Sequence, residues 1–170
     1  MASADDIHEL NCHIQRSIRY HRARERFFAG WSRWISFLSL LSGSAVVVAL
    51  LARLPDWVAL GFGASVAALQ AGELIWSLSG KARLHADLAG AFIGLEQELA
   101  RQPDASLADI RAPRAEILRI EAREPPIKRY LDLICHNQVA RAIGSDDIER
   151  LSFWQRWFAQ YLNGDTALQK

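Results

Sequence analysis

Residues 34–80 hold almost no charge, and a chain with such a block has few ways to fold. The first part, WISFLSLLSGSAVVVALLA over 34–52, carries no charged side chain and is bracketed by Arg33 and Arg53. The second, over 57–80, carries one, Glu73. Between them lies a turn, Arg53-Leu54-Pro55-Asp56. At a rise of about 1.5 Å per residue the first segment would span roughly 28 Å as a helix, close to the hydrocarbon thickness of a bilayer. Backbone facing lipid must satisfy its polar groups within its own helix, so the pattern predicts a two-span transmembrane hairpin, with spans at about 34–52 and 57–80. The competing reading is a buried hairpin inside a soluble helical bundle. Soluble helices usually show one polar face, and residues 40–52 offer only Ser and Gly. The strongly amphipathic flanks are poorly suited to enclose two such helices. The run also starts too late and is too long for a cleaved secretory signal.

Charge sets the expected orientation. Arg16, Arg19, Arg22, Arg24, Arg26 and Arg33 precede the first span and Lys81 and Arg83 follow the second, whereas the turn offers Arg53 beside Asp56. An excess of basic residues at one membrane face marks the cytoplasmic side. Both termini are therefore expected in the cytoplasm and the hairpin in the cell membrane. Trp31, Trp34, Trp57 and Trp76 fall near the expected interfaces, where indole rings favour the headgroup region. Arg19, Arg22 and Arg26, followed by Trp31, suit contact with the anionic leaflet. The plainer reading of the same stripe is a solvated face that sets topology alone.

The flanks read as helices, so the fold class is all-α: a cytosolic basic and aromatic helix over 1–33, the hairpin over 34–80, and a cytosolic helical region over 81–170. Ile7, Leu10, Ile14 and Ile18 form one apolar stripe, and Leu84, Leu88, Phe92, Leu95 and Leu99 form another that ends near Gln102-Pro103. Ser106 can cap a further helix whose buried face is Leu107, Ile110, Ile117 and Ile120, with Pro113 expected to kink or break it. A helix from about Ile127 should end at Gly144. Ser145 with Asp146 and Asp147 should start a last helix carrying Trp154, Trp157, Phe158 and Tyr161. That aromatic stripe reads as core or a partner interface, with docking at a bilayer surface as the alternative.

Catalytic and cofactor motifs are missing from the sequence: no phosphate-binding Gly loop, no G-x-S-x-G and no H-E-x-x-H. No enzyme activity, cofactor or nucleic-acid partner is expected. A structural disulfide is not expected between Cys12 and Cys135 in a reducing compartment. His8, Cys12, Cys135 and His136 could offer four zinc ligands, but no C-x-x-C or paired-His motif supports this, and ordinary packing is the preferred reading.

Within the hairpin the polar residues fall into register. Folding about Leu54-Pro55 brings Ser39 near Gln70, Ser36 near Glu73 and Ser32 near Ser77. Gln70, Glu73 and Ser77 share one face of their helix, as do Ser32, Ser36, Ser39 and Gly43 of theirs. Ala64, Ala68 and Gly72 give a second, small-residue face. The seam has two readings. Glu73 and Gln70 could line a watered path between assembled hairpins, since intramembrane carboxylates usually mark ion routes or partners. Alternatively, Glu73 accepts hydrogen bonds from Ser36 or pairs with Arg33, as glue between helices. Two spans cannot enclose a pore, so conduction would require a homo-oligomer.

The basic and aromatic approach RYHRARERFFAGWSRW, the short-looped hairpin, the segment KARLHADLAGAFIGLEQEL and the segment IEAREPPIKRYLDLICHNQ together resemble the SLATT family. These are two-span effector domains of bacterial conflict and nucleotide-signalling systems. The likeness covers about residues 16–144 and carries no catalytic residues with it. It implies a pore-forming or membrane-perturbing effector, gated through its cytosolic helices by a signal that a separately encoded partner could deliver. The alternative function is a non-conducting membrane scaffold that recruits cytosolic partners through the C-terminal aromatics.

Overall fold

Leu10, Ile14 and Tyr20 bury one side of the first helix, and α1 runs unbroken over Ala4–Ser42 in the computed structural model, which describes residues 4–101 and 111–162. It is followed by α2 (Ala45–Leu51), α3 (Asp56–Trp76), α4 (Leu78–Arg101), α5 (Arg111–Glu121), α6 (Arg129–Ala142) and α7 (Phe153–Trp157). The fold is all-α among the described residues. The expected cap at Ser106 and the positions Leu107 and Ile110 lie outside them.

The chain divides into two compact units, one made of Met1–Arg24 with His85–Lys170 and the other of Glu25–Leu84. Helices α1 and α4 lend residues to both.

In the Glu25–Leu84 unit the apolar block behaves as two segments, but neither is the plain rod expected. The first breaks at Gly43-Ser44, where α1 ends and α2 begins. Two serine hydroxyls bond back to their own helix just before the break, Ser39 to the Ile35 carbonyl and Ser42 to that of Leu38. Such back-bonding competes with the backbone ladder and bends helices. Ser44 then takes an extended conformation and its hydroxyl accepts from the Val47 amide, so it caps α2. The second segment breaks at Ser77, which separates α3 from α4 in a left-handed conformation with φ of 47°. Among the described residues, one helical run is long and apolar enough to cross a membrane, that of Asp56–Arg101. Residues 34–52 do not form a second such helix, because the Gly43-Ser44 break divides them.

The apolar side chains of this unit point outward. Leu40 is 79% exposed, Trp57 75% and Leu74 82%, and α3 has no buried residue. Phe28, Ile35 and Ala82 are the buried hydrophobics among the unit's described residues.

The other unit has an ordinary core. Ile14, Leu88 and Phe92 are fully enclosed, with Leu95, Ile117, Ile120 and Val139 close to it. Tyr20, Leu131, Cys135 and Ala159 form a further buried cluster. Pro113 lies inside α5, whose described residues Arg111–Glu121 run without a break. Helix α6 ends as expected. Gly144 is left-handed at φ of 72°, the Ser145 amide reaches back to the Ala140 carbonyl at 2.8 Å, and that of Gly144 reaches Arg141 at 3.3 Å. This is the paired closure that a glycine after a helix permits.

The expected last helix from Ser145 is mostly absent; only Phe153–Trp157 is α-helical. The buried Asn137 side chain takes both backbone groups of Glu149, donating to its carbonyl at 2.7 Å and accepting from its amide at 2.9 Å. Those groups are then lost to a helical ladder, and the helix starts afresh at Ser152. Its hydroxyl accepts from the Gln155 amide while the Gln155 side chain accepts from the Ser152 amide, a reciprocal cap.

Candidate functional site

Glu73 is the single charged side chain between Asp56 and Lys81, and its surroundings follow from the helix break four residues later. When Ser77 leaves the helical conformation, the first amides of α4 lose their intrahelical acceptors. The Ser79 amide donates to Glu73 Oε1 at 3.2 Å, so a carboxylate from α3 does for α4 what an N-cap side chain does. The Ser77 carbonyl accepts from the Lys81 amide at 2.8 Å and opens the α4 ladder. Gly80 leaves room beside the break, since a Cβ there would run into the Ser77 hydroxyl as it is placed.

The same Oε1 accepts from the Ser32 hydroxyl of α1 at 3.0 Å. One turn further into the apolar block, the Gln70 side-chain amide donates to the Ser39 hydroxyl. The two segments are thus joined by two polar links. The expected pairing of Ser39 with Gln70 is present. Glu73, however, meets Ser32 rather than Ser36, and Ser32 does not meet Ser77. The carboxylate is drawn toward the open end of α4, and its partner on α1 shifts by one helical turn. Ser36 and Gly43 are exposed, and Ser77 serves the break. Of the small-residue face, Ala64 and Ala68 are exposed, and the Trp76 ring lies over Gly72, about 3.0 Å from where a Cβ would stand.

Glu73 Oε2 is buried and has no hydrogen-bond partner among the described residues. A shielded carboxylate oxygen without a donor is costly. The arrangement can accept one further donor or a cation.

The basic approach is mixed in its placement. Arg19 is half-buried and donates to the Gln15 carbonyl and side chain at 3.5 and 3.3 Å, whereas Arg22, Arg26 and Trp31 are exposed. Arg24 is buried and tied to the C-terminal segment, donating to the Gln160 carbonyl at 2.8 Å.

A second polar centre lies in the other unit, and the sequence reading did not single it out. His21 and His85 are 1% and 2% exposed, with their Nδ1 atoms 2.9 Å apart, and His21 Nε2 is 3.0 Å from Glu124 Oε1. A carboxylate only accepts, so His21 Nε2 carries a hydrogen, and the facing Nδ1 atoms share one hydrogen between them. The His21 ring stacks on Phe92 at 5.8 Å, and Tyr20 meets both histidines edge-on. The Tyr20 hydroxyl accepts from the Lys128 amide at 2.9 Å. Burial, then His21 and Arg24, push the His85 pKa down to about 4. Burial also raises that of Tyr20 and lowers that of Arg24. The group bolts α1, α4 and the turn after α5 together. A sequence signal did exist: His85 lies three residues before Leu88 and seven before Phe92, on the buried stripe of α4.

A cleft of about 440 Å³ is lined in part by His8, Cys12, His13, Arg16 and His136. Its donors are paired locally: Cys12 with His8 at 3.6 Å, His13 with Glu121 at 2.9 Å and His136 with Asp147 at 3.3 Å. Cys135 lies in the buried cluster, and both cysteines are free. Among the described residues, no group of three or more His, Cys, Asp or Glu side chains is placed to hold a metal ion.

The C-terminal aromatics are not core. Phe153, Trp154 and Trp157 are 65–68% exposed, and Phe158 and Tyr161 are exposed as well, while Ala159 between them is buried.

Comparison with family models, with curated proteins and with solved structures finds no match for this chain.

Proposed function

We propose that this chain is a two-span protein of the bacterial inner membrane, with both termini in the cytoplasm, that acts as a homo-oligomeric effector and perturbs the bilayer when its flanking helices are rearranged. The observation that carries the proposal is Glu73. One oxygen is held by Ser32 and Ser79, the other is shielded and has no partner among the described residues, and no other charged side chain lies between Asp56 and Lys81. Ionisable groups in such settings usually line ion routes or meet a partner helix. A neighbouring copy could complete the seam, and several copies are needed to enclose a path. The Gly43-Ser44 break is compatible with a first span, because transmembrane helices tolerate interruptions whose freed backbone groups are satisfied locally. The resemblance to SLATT effectors points the same way and suggests a role in antiviral defence, with a separately encoded signalling partner as trigger.

The test is ion flux from liposomes containing the full chain. Flux should be lost or change selectivity in Glu73→Gln and in Gln70→Leu; flux unaltered by both substitutions would remove the seam from the conducting path. The exposed aromatics of the C-terminal segment favour a second reading, a non-conducting scaffold. Wild-type liposomes that hold their ions under every condition that assembles the protein would favour it.

A further inference from the structure

Residues 153–162 form a surface built to stay exposed. The inner side of the segment is fastened at three points: Ala159 is 2% exposed in the Tyr20–Leu131–Cys135 cluster, Arg24 donates to the Gln160 carbonyl and side chain at 2.8 and 3.0 Å, and Lys128 Nζ donates to the Tyr161 carbonyl at 3.1 Å. The Ser152–Gln155 cap fixes the start. The outer side is a self-packed aromatic cluster, with Trp154 stacked on Phe158 at 6.0 Å and Phe153 against Trp154 and Trp157 at 5.8 and 6.1 Å. Leu162 continues the exposed apolar surface. With its inner face tied down, the segment cannot roll these rings into the core.

Charge says what covers them. Asp146, Asp147 and Glu149 precede the segment and Asp165 follows it; residues 150–162 themselves hold the exposed Arg150 and Arg156 and no carboxylate side chain. Rings of Trp, Tyr and Phe interleaved with arginine match the headgroup layer of an anionic bilayer, where the rings sit between hydrocarbon and water and the guanidinium groups meet phosphate. We infer that residues 153–162 dock on the surface of an anionic bilayer, with Trp154, Trp157 and Phe158 at headgroup depth. The bilayer's proximity rests on the membrane-spanning proposal above; the composition and exposure of the segment do not.

The experiment uses the full chain in nanodiscs, in a Cys12→Ser, Cys135→Ala background with an environment-sensitive fluorophore on Trp157→Cys or on Leu60→Cys. The label at 157 should be quenched by lipids spin-labelled near the headgroup, more strongly with phosphatidylglycerol than with phosphatidylcholine alone. Reversing the charge at Arg150 and Arg156 should weaken docking by roughly ten-fold or more. The label at 60 reports separately on spanning, through quenching by lipids labelled deep in the acyl chain. Quenching at 157 without quenching at 60 would uphold the docking and sink the span. A label at 157 that stays in water while that at 60 is quenched overturns the docking. So does a label at 157 shielded equally in every lipid and never quenched, the mark of a protein partner or a second copy.

Discussion

A neutral imidazole in the interior is a stability term that acid removes. His85 is 2% exposed and its pKa is depressed to about 4, against 6.5 for an ordinary histidine. Between those values the unfolded chain binds the proton that the folded chain refuses, so stability drops as the pH is lowered through that window. The contribution is complete above about pH 6.5 and gone near pH 4, and it amounts to ~3 kcal/mol. Melting of the detergent-solubilised chain between pH 7 and 4 should therefore slope more steeply for wild type than for His85→Leu, which starts lower at pH 7 because His21 loses its Nδ1 partner. Parallel slopes would mean that His85 takes up its proton without resistance. Glu73 was visible in the sequence as a lone charge in an apolar field. The His21–His85–Glu124 group was not, because its members lie 64 and 103 residues apart and only packing brings them together.

Helices break in this chain where a side chain offers the backbone a better bargain, and that decides how much the pattern of residues could reveal. The apolar blocks, the turn at residues 53–55 and the Gly144 stop were legible, since each depends on residue type at a local spacing. The Asn137 clamp on Glu149 was not, because it acts across 12 residues and overrides the acidic start signal at Asp146 and Asp147. Ser77 was read as part of the seam, and nothing in its neighbours marked it as left-handed. A non-glycine residue in that region carries a penalty of about 1–2 kcal/mol. Replacing it by glycine should stabilise the break, raising the melting temperature by an amount that corresponds to ~1 kcal/mol. Gly80→Ala should destabilise when Ser77 is present and be tolerated once Ser77 is glycine. A double-mutant cycle in thermal melting checks this; additive effects would deny that the two positions touch.

The whole molecule combines an ordinary buried core in one unit with a second unit whose apolar side chains are largely uncovered. Soluble monomers rarely expose contiguous apolar patches beyond a few hundred Å². Leu40, Trp57, Leu60, Leu74 and Ile75, each more than 70% exposed, give the kind of surface that marks a membrane or protein interaction site. The Ser32–Glu73 and Ser39–Gln70 links join the two segments, as polar side chains do between membrane helices. The core of the other unit was largely readable from the stripes of α1 and α4. That residues 34–52 do not form one long helix was harder to read, because length and hydropathy say nothing of the break at Gly43-Ser44.

The decisive measurement is labelling of single cysteines by a membrane-impermeant maleimide in intact bacterial spheroplasts, in the Cys12→Ser, Cys135→Ala background. A lipid-embedded hairpin with both ends inside requires Leu54→Cys to react from outside, and Ser3→Cys and Lys170→Cys to react only after lysis. If Leu54→Cys stays silent until lysis, alongside the two terminal positions, the hairpin does not cross the membrane.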